Sequence, residues 1–283
     1  MQKPIKHAPC FGLPYMGSKN KIAREIIGLL PPADTFVDLF AGGCAMTHAA
    51  MLSGKYRNFI INDVDPLPTQ LFIDAIDGKY SDGYKWYSRD EFNRLKDSDG
   101  FVKFCYSFGS DGVDYLYSKV KEPWKRALFY AVVHNDFSAL YEFGVDITIP
   151  DDDIRARQKA IQKLVVDGRL QFLESVNRVN RLTELKPYRD KITTFTADYT
   201  AVETPENSVI YCDIPYTNTH GYNNAQFNRE AFLDWAAGRE NLYISEYSID
   251  DGRFNCIWEK QRISTYSAQN NGLKVTERLY KTR

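Results

Sequence analysis

The chain has 283 residues, 43% of them hydrophobic and 26% charged, with a net charge of -1. That length and apolar content allow one large α/β domain, or two smaller ones, with a real core. The near-neutral balance excludes a globally basic protein, so any polyanionic partner must be met by a local basic face.

The five cysteines, Cys10, Cys44, Cys105, Cys212 and Cys256, are scattered and form no CxxC pair. This argues against a disulfide framework and against a zinc site, so no metal is expected. Reduced thiols, and a polar N-terminus from Met1 to Pro9 with no apolar signal core, predict a cytoplasmic protein. No apolar run approaches membrane-spanning length, so no membrane contact is expected. The 19 Tyr and 17 Phe suit stacking surfaces as well as a core.

Tyr15-Met16-Gly17-Ser18-Lys19 comes first. Ser18 or Asn20 can cap a helix that carries Ile22, Ile26, Ile27 and Leu30 on one face and stops at Pro31-Pro32. Lys19 would sit near the helix start, where the dipole does not favour a cation. It is either a solvated surface charge or a charge facing a ligand carboxylate. Next, Thr35 to Asp38 and Leu39 read as a strand entering the Phe40-Ala41-Gly42-Gly43 turn. A small-residue helix from Cys44 to Leu52 follows. This is a Rossmann-type βα start without the dinucleotide glycine pattern. The second strand, Asn58 to Asn62, ends at Asp63. An acid there is placed either to bind ribose hydroxyls or to cap the helix from Leu67 to Ile76.

Residues 77–191 break the α/β rhythm. Basic and aromatic side chains interleave there, as in Trp124-Lys125-Arg126, and helices are predicted over Trp124 to Val133 and Ile154 to Leu164. Such a segment suits a nucleic-acid surface, and equally a helical cap with a solvated face. Alternation resumes with a strand from Ile192 to Thr196 and with Ala197-Asp198-Tyr199 at its end. Val209-Ile210-Tyr211-Cys212 reads as a buried strand that delivers Asp213 to the sheet's carboxyl edge. Pro215 stiffens the backbone after Asp213, and Tyr216 adds an aromatic ring. A carboxylate, outward carbonyls and a ring suit an exocyclic amino group of a nucleobase held out of its duplex. The plainer reading is an Asp cap with a packing tyrosine. Asn228 can cap a helix from Arg229 to Ala237, and Asn241 to Glu246 is a buried strand. Arg262 to Tyr266 and Thr276 to Lys281, joined through Asn270-Asn271-Gly272, predict a terminal hairpin.

Five motifs occur in one order: Tyr15 to Lys19, Asp38 to Gly43, Asn62-Asp63, Ala197-Asp198-Tyr199 and Asp213-Ile214-Pro215-Tyr216. Together they resemble the Dam-type N6-adenine DNA methyltransferases, which use S-adenosylmethionine (SAM). Leu242 to Tyr247 and Glu277-Arg278-Leu279-Tyr280 are similar to that family as well. The resemblance implies a Rossmann-like methyltransferase sheet (residues 1–76 and 192–283) interrupted by a largely helical target-recognition insertion (residues 77–191). It implies that Tyr15, Gly17 and Lys19 contact the methionine end of SAM. Asp38, Phe40, Ala41, Gly42 and Gly43 would form the cofactor turn, Asp63 would bind the ribose, and Asp198 and Tyr199 would border the adenine. Asp213 and Pro215 would accept from the target amino group, and Tyr216 would stack on the flipped base.

The chain departs from the family at Ile214, where proline is usual, and at Glu142, where an arginine is expected. The segment His134 to Phe143 therefore does not support a GATC site. A carboxylate cannot bind phosphate or the acceptors of guanine, though it could accept from cytosine. Lys121, Lys125, Arg126, Asn135 and Arg178 are candidates for DNA contact, with Arg155, Arg157 and Arg181 beside them. The expected function is methylation of adenine N6 in duplex DNA in a bacterial or phage-infected cell, by a monomer or weak dimer. A separate restriction endonuclease fits as a partner. The alternatives are methylation of cytosine N4 or of an RNA base, or a silent SAM-fold protein that only binds nucleic acid.

Overall fold

A computed structural model of the chain describes residues 10–149, 153–216, 227–263 and 274–283. In chain order the first elements are α1 (Ala23–Leu29), β1 (Thr35–Asp38), α2 (Ala45–Ser53), β2 (Asn58–Asn62) and α3 (Pro66–Ile76). Six helices follow: α4 (Arg89–Leu95), α5 (Gly100–Cys105), α6 (Glu122–His134), α7 (Ser138–Tyr141), α8 (Ile154–Leu164) and α9 (Gln171–Asn180). The chain then returns to strands with β3 (Ile192–Phe195), β4 (Ser208–Cys212), α10 (Arg229–Ala237), β5 (Leu242–Glu246), β6 (Phe254–Ile263) and β7 (Lys274–Thr282).

These elements form two compact units. The first gathers the described residues of Met1–Gly12, Gly17–Phe72 and Leu185–Arg283, and the second holds Leu13–Met16 and Ile73–Glu184. The first unit carries a seven-stranded sheet of order β3-β2-β1-β4-β5-β7-β6. The five strands from β3 to β5 run parallel, and β7 lies antiparallel to both β5 and β6. The central strands β1, β4 and β5 are buried along their whole length, as strands covered on both faces must be. Edge strand β3 carries Thr193 and Thr194 and is largely exposed. Strand order reverses between β1 and β4, and open α/β sheets bind ligands outside the carboxyl ends at such a switch point. The sequence therefore delivers Asp38 and Asp213 to one edge, on neighbouring parallel strands. This Rossmann-like α/β architecture is the one the sequence predicts.

Local chemistry explains most element ends. Asn228 caps α10 by accepting from the Ala231 amide at 3.0 Å, as predicted. The start of α1 differs from expectation. Neither Ser18 nor Asn20 caps it; Lys19–Lys21 form a 3₁₀ turn, and Ile22 stands at the cap position without a side-chain bond. The terminal hairpin is present, but β6 begins at Phe254, earlier than Arg262. Its predicted turn at Asn270-Asn271-Gly272, and Ser264 to Tyr266, lie outside the described residues. Asn62 ties three strands together at their ends. Its amide donates to the carbonyls of Leu39 and Ala197, both at 3.0 Å, and accepts from the Ala197 amide at 3.1 Å.

The second unit packs around aromatic rings. Tyr106 stacks on Phe172 with centroids 5.3 Å apart, and Phe129 lies 5.6 Å from the same ring. Ser88 and Glu91 form a capping box at the start of α4.

Gly12 marks the tightest backbone approach in the first unit. Its φ is +68°, and a Cβ there would stand 2.2 Å from the Gly43 carbonyl oxygen. Its amide donates to His48 Nδ1 at 3.0 Å. A left-handed alanine alone costs about 1–2 kcal/mol, and the clash adds to it. Gly12→Ala is expected to lower the thermal midpoint by more than Gly54→Ala, since Gly54 shares the positive φ but has open space around it. Equal losses in calorimetry would show that the approach to Gly43 does not matter.

Candidate active site

The glycine turn after β1 is shaped by its neighbours. The Leu39 amide donates to the Tyr211 carbonyl at 3.1 Å, and the Ala41 amide to the Asn62 carbonyl at 3.0 Å. These bonds pin the turn to β4 and β2. Gly42 and Cys44 both take positive φ, which lets the chain reverse into α2. The Gly42 amide donates to Asp63 Oδ2 at 2.7 Å, and Asp63 Oδ1 accepts from the Asp65 amide at 3.0 Å. Burial still raises the Asp63 carboxyl above its ordinary value, with these bonds opposing.

Asp38 is almost wholly buried. One oxygen accepts from the Thr47 amide at 3.2 Å and the Thr47 hydroxyl at 2.7 Å. The other, Oδ1, is buried without a hydrogen-bond partner among the described residues. Burial pushes this carboxyl up to about 7, the charges of Asp213 and Asp63 add to the effect, and the Thr47 bonds oppose it. A buried carboxylate oxygen with no donor is an open invitation to a cation or a hydrogen-bond donor.

Phe40 and Tyr199 meet with ring centroids 5.7 Å apart, and Tyr199 also packs on Trp235 at 4.9 Å. Asp198 is exposed and bonds the amide and hydroxyl of Thr200. Tyr15 belongs to the second unit, where its ring packs on Phe104 at 5.2 Å.

Asp213 follows β4 directly and is partly exposed, with 22% of its side chain accessible. Lys19 Nζ lies 2.7 Å from its Oδ1 and is itself 5% exposed. The same ammonium sits over the Tyr216 ring, 4.5 Å from its centroid. Burial raises the Asp213 carboxyl, and Lys19 pulls it back down. Lys19 is therefore not the solvated surface charge that the sequence also allowed, since its ammonium is enclosed beside Asp213. That pairing also answers the dipole objection, because the buried carboxylate offsets the unfavourable helix end.

Tyr216 is buried and donates its hydroxyl to Glu277 Oε2 at 2.8 Å. Glu277 Oε1 is held by Arg262. Tyr247 meets the Tyr216 ring edge-on at 4.5 Å. Glu246, fully buried at the end of β5, is paired with Arg229 and accepts from the Tyr247 amide at 2.6 Å. Gly12, Glu246, Glu277 and Arg262 had no assigned role in the sequence. Glu246 carried a signal nonetheless, since it ends a largely apolar strand, where a carboxylate needs a stated partner.

Two of the basic candidates for DNA contact prove structural. Lys125 is buried, and its ammonium bonds the carbonyls of Asp167 at 2.6 Å and Arg169 at 2.8 Å and the Asp167 carboxylate at 2.9 Å. Arg157 is buried against the Val132 carbonyl at 2.7 Å. Neither is available to a phosphate. Lys121 is exposed and pairs with Asp167 at 3.2 Å. Arg126, Arg155, Arg181 and Asn135 are exposed, with Asn135 in the left-handed conformation that closes α6, and Arg178 is half-buried.

The sequence matches the family model of the D12 class N6 adenine-specific DNA methyltransferase over residues 15–250. The chain belongs to that family. It is an adenine-N6 DNA methyltransferase, an enzyme whose substrate is DNA. The match begins at Tyr15 and takes in the glycine turn, Asp63, Asp198 and the Asp213 turn. No curated protein matches the chain. Within this methyltransferase, Asp38 is a buried carboxyl with one oxygen uncompensated among the described residues.

The pH dependence of stability follows from that. The Asp38 carboxyl rises from 3.8 in the unfolded chain to about 7 in the fold, so the fold binds this proton more tightly. Its contribution to stability is present below the unfolded value and is lost as pH rises toward the folded value. Asn at this position cannot ionise and can keep a bond to Thr47. Asp38→Asn is therefore expected to gain in thermal midpoint relative to the wild type as pH increases through that window. A constant difference across the window would refute the assignment.

Proposed function

We propose that this methyltransferase takes its methyl group from SAM and delivers it to adenine N6 within a short sequence of duplex DNA. The observation that carries this reading is the Asp213-Ile214-Pro215-Tyr216 turn, set beside the glycine turn on the neighbouring parallel strand. SAM supplies an electrophilic methyl group when bound. The residues present suit such a ligand. Asp38 Oδ1 lacks a donor, which fits a ligand ammonium. Gly42 and Gly43 leave room for close approach at the turn, and Asp63 is the acid suited to ribose hydroxyls. Phe40 and Tyr199 offer apolar faces for the adenine, with Asp198 beside them.

The chain's own residues supply orientation. An exocyclic amino nitrogen is a poor nucleophile because its lone pair is delocalised into the ring. Asp213 and the Pro215 carbonyl accept its N–H groups and turn the lone pair outward. Tyr216 stacks on the base. Asp213, whose burial makes it a better base, is the acceptor for the proton that N6 releases. Lys19 holds Asp213 ionised until the amino group takes its place.

Exposed Arg126, Arg155, Arg181 and Asn135 remain the candidates for DNA contact in the insertion. Glu142 is exposed where the resemblance expects arginine. A recognition sequence other than GATC follows from that substitution.

Asp213→Ala is expected to lower turnover by at least ~100-fold while SAM affinity stays close to wild type, as for a group that acts on the nucleophile alone. Turnover near wild type in that variant sinks the mechanism. Long-read sequencing of DNA from a methylation-free host expressing the chain should place N6-methyladenine in one short motif. SAM affinity, measured by calorimetry, is expected to tighten as pH rises through about 7, where Asp38 ionises, and to lose that dependence in Asp38→Asn. An unchanged dependence in the variant would remove Asp38 from the cofactor site.

A further inference from the structure

Glu277 is a carboxylate in the wrong place for a hairpin strand. It lies on β7, is 1% exposed, and has buried Leu279 and Tyr280 just beyond it. An ionised carboxylate buried this way is costly unless its oxygens are bonded. Both are, and they serve different parts of the molecule. Oε1 holds Arg262 from β6, which ties the two strands of the hairpin together. Oε2 accepts the Tyr216 hydroxyl at 2.8 Å, across 61 residues of sequence. A pair serving only the hairpin has no need of the second bond.

The consequence for Tyr216 is geometric. Pro215 restrains the backbone at one end of the residue, and Glu277 restrains the hydroxyl at the other. Tyr247 packs nearly perpendicular to the ring with centroids 4.5 Å apart, and the Lys19 ammonium sits over the ring. A ring held at both ends keeps one plane. We propose that Glu277 is the positioning residue of the base subsite: it fixes the plane of Tyr216 and so couples the terminal hairpin to methyl transfer. The inference rests on the reading that Tyr216 stacks on the target base.

The test is a double-mutant cycle on the full chain, with steady-state kinetics on a duplex containing the methylated motif found by sequencing. Tyr216→Phe and Glu277→Ala are each expected to lower kcat roughly 10- to 100-fold, as misplacement of a reacting group does. SAM affinity should not move. The double variant should be no slower than the slower single one, because the Tyr216–Glu277 bond is lost in either; Tyr216→Phe also removes the hydroxyl's bond to Asp213, so it is expected to be the slower of the two. Glu277→Gln should recover part of the loss, since its one amide oxygen can accept from the hydroxyl only by turning its NH2 toward Arg262. Additive losses would overturn the proposal. If Glu277→Ala does not fold, Tyr216→Phe decides, and a wild-type kcat there overturns it. Tyr216→Ala separates the two levels. Wild-type turnover in Tyr216→Ala removes the stacking reading itself. A slow Tyr216→Ala beside wild-type Tyr216→Phe and Glu277→Ala removes only the role of Glu277.

Discussion

The parallel pairing of β1 with both β2 and β4 forces three aspartates onto one edge of the sheet. Asp38 ends β1, Asp63 follows β2, and Asp213 follows β4. Asp38 is buried and the other two are half-buried, and each carboxyl is raised above its ordinary value. The folded chain compensates them unequally. Asp213 has the Lys19 ammonium, Asp63 has two backbone amides, and Asp38 has Thr47 on one oxygen only. Much of the surrounding structure serves this crowding. The left-handed turn aims Gly42 at Asp63, and the 3₁₀ turn after Gly17 carries Lys19 to Asp213.

That unequal compensation ranks the groups. A buried ion pair holds its members in place more than it stabilises the fold, because desolvation consumes most of the Coulomb energy. Lys19 and Asp213 are therefore a geometric device. They place an ammonium on the carboxylate and over the Tyr216 ring. Glu277 and Arg262 form a second pair, which holds the Tyr216 hydroxyl.

The sheet was legible in the sequence because its strands obey a simple rule. Val209 to Cys212 and Leu242 to Glu246 are short, apolar and flanked by turn residues, and they became central parallel strands. Asp38, Asp63 and Asp213 were legible for the same reason, since an acid that ends such a strand has one edge to occupy. The pairing of Lys19 with Asp213 was not legible because the partner is remote in sequence, and nothing local distinguishes a buried lysine from a solvated one. Lys125 failed likewise. A Trp-Lys-Arg run reads as a basic surface, yet helix geometry turns Lys125 inward onto the Asp167 and Arg169 carbonyls while Arg126 stays exposed. The bond between Glu277 and Tyr216 was not legible because it joins a strand and a turn 61 residues apart.

The charge distribution also constrains what this edge can hold. An anionic group placed at Asp38 would meet the repulsion of nearby carboxylates, whereas a cation or a hydrogen-bond donor would compensate Oδ1. A ligand that presents a cation there offsets the repulsion and ionises Asp38 at the same time, so binding and charge are linked through one oxygen. Lys19 cannot do this for Asp38, because its short bond commits it to Asp213. The fold thus supplies a cation at Asp213 and, among the described residues, no donor to Oδ1 of Asp38.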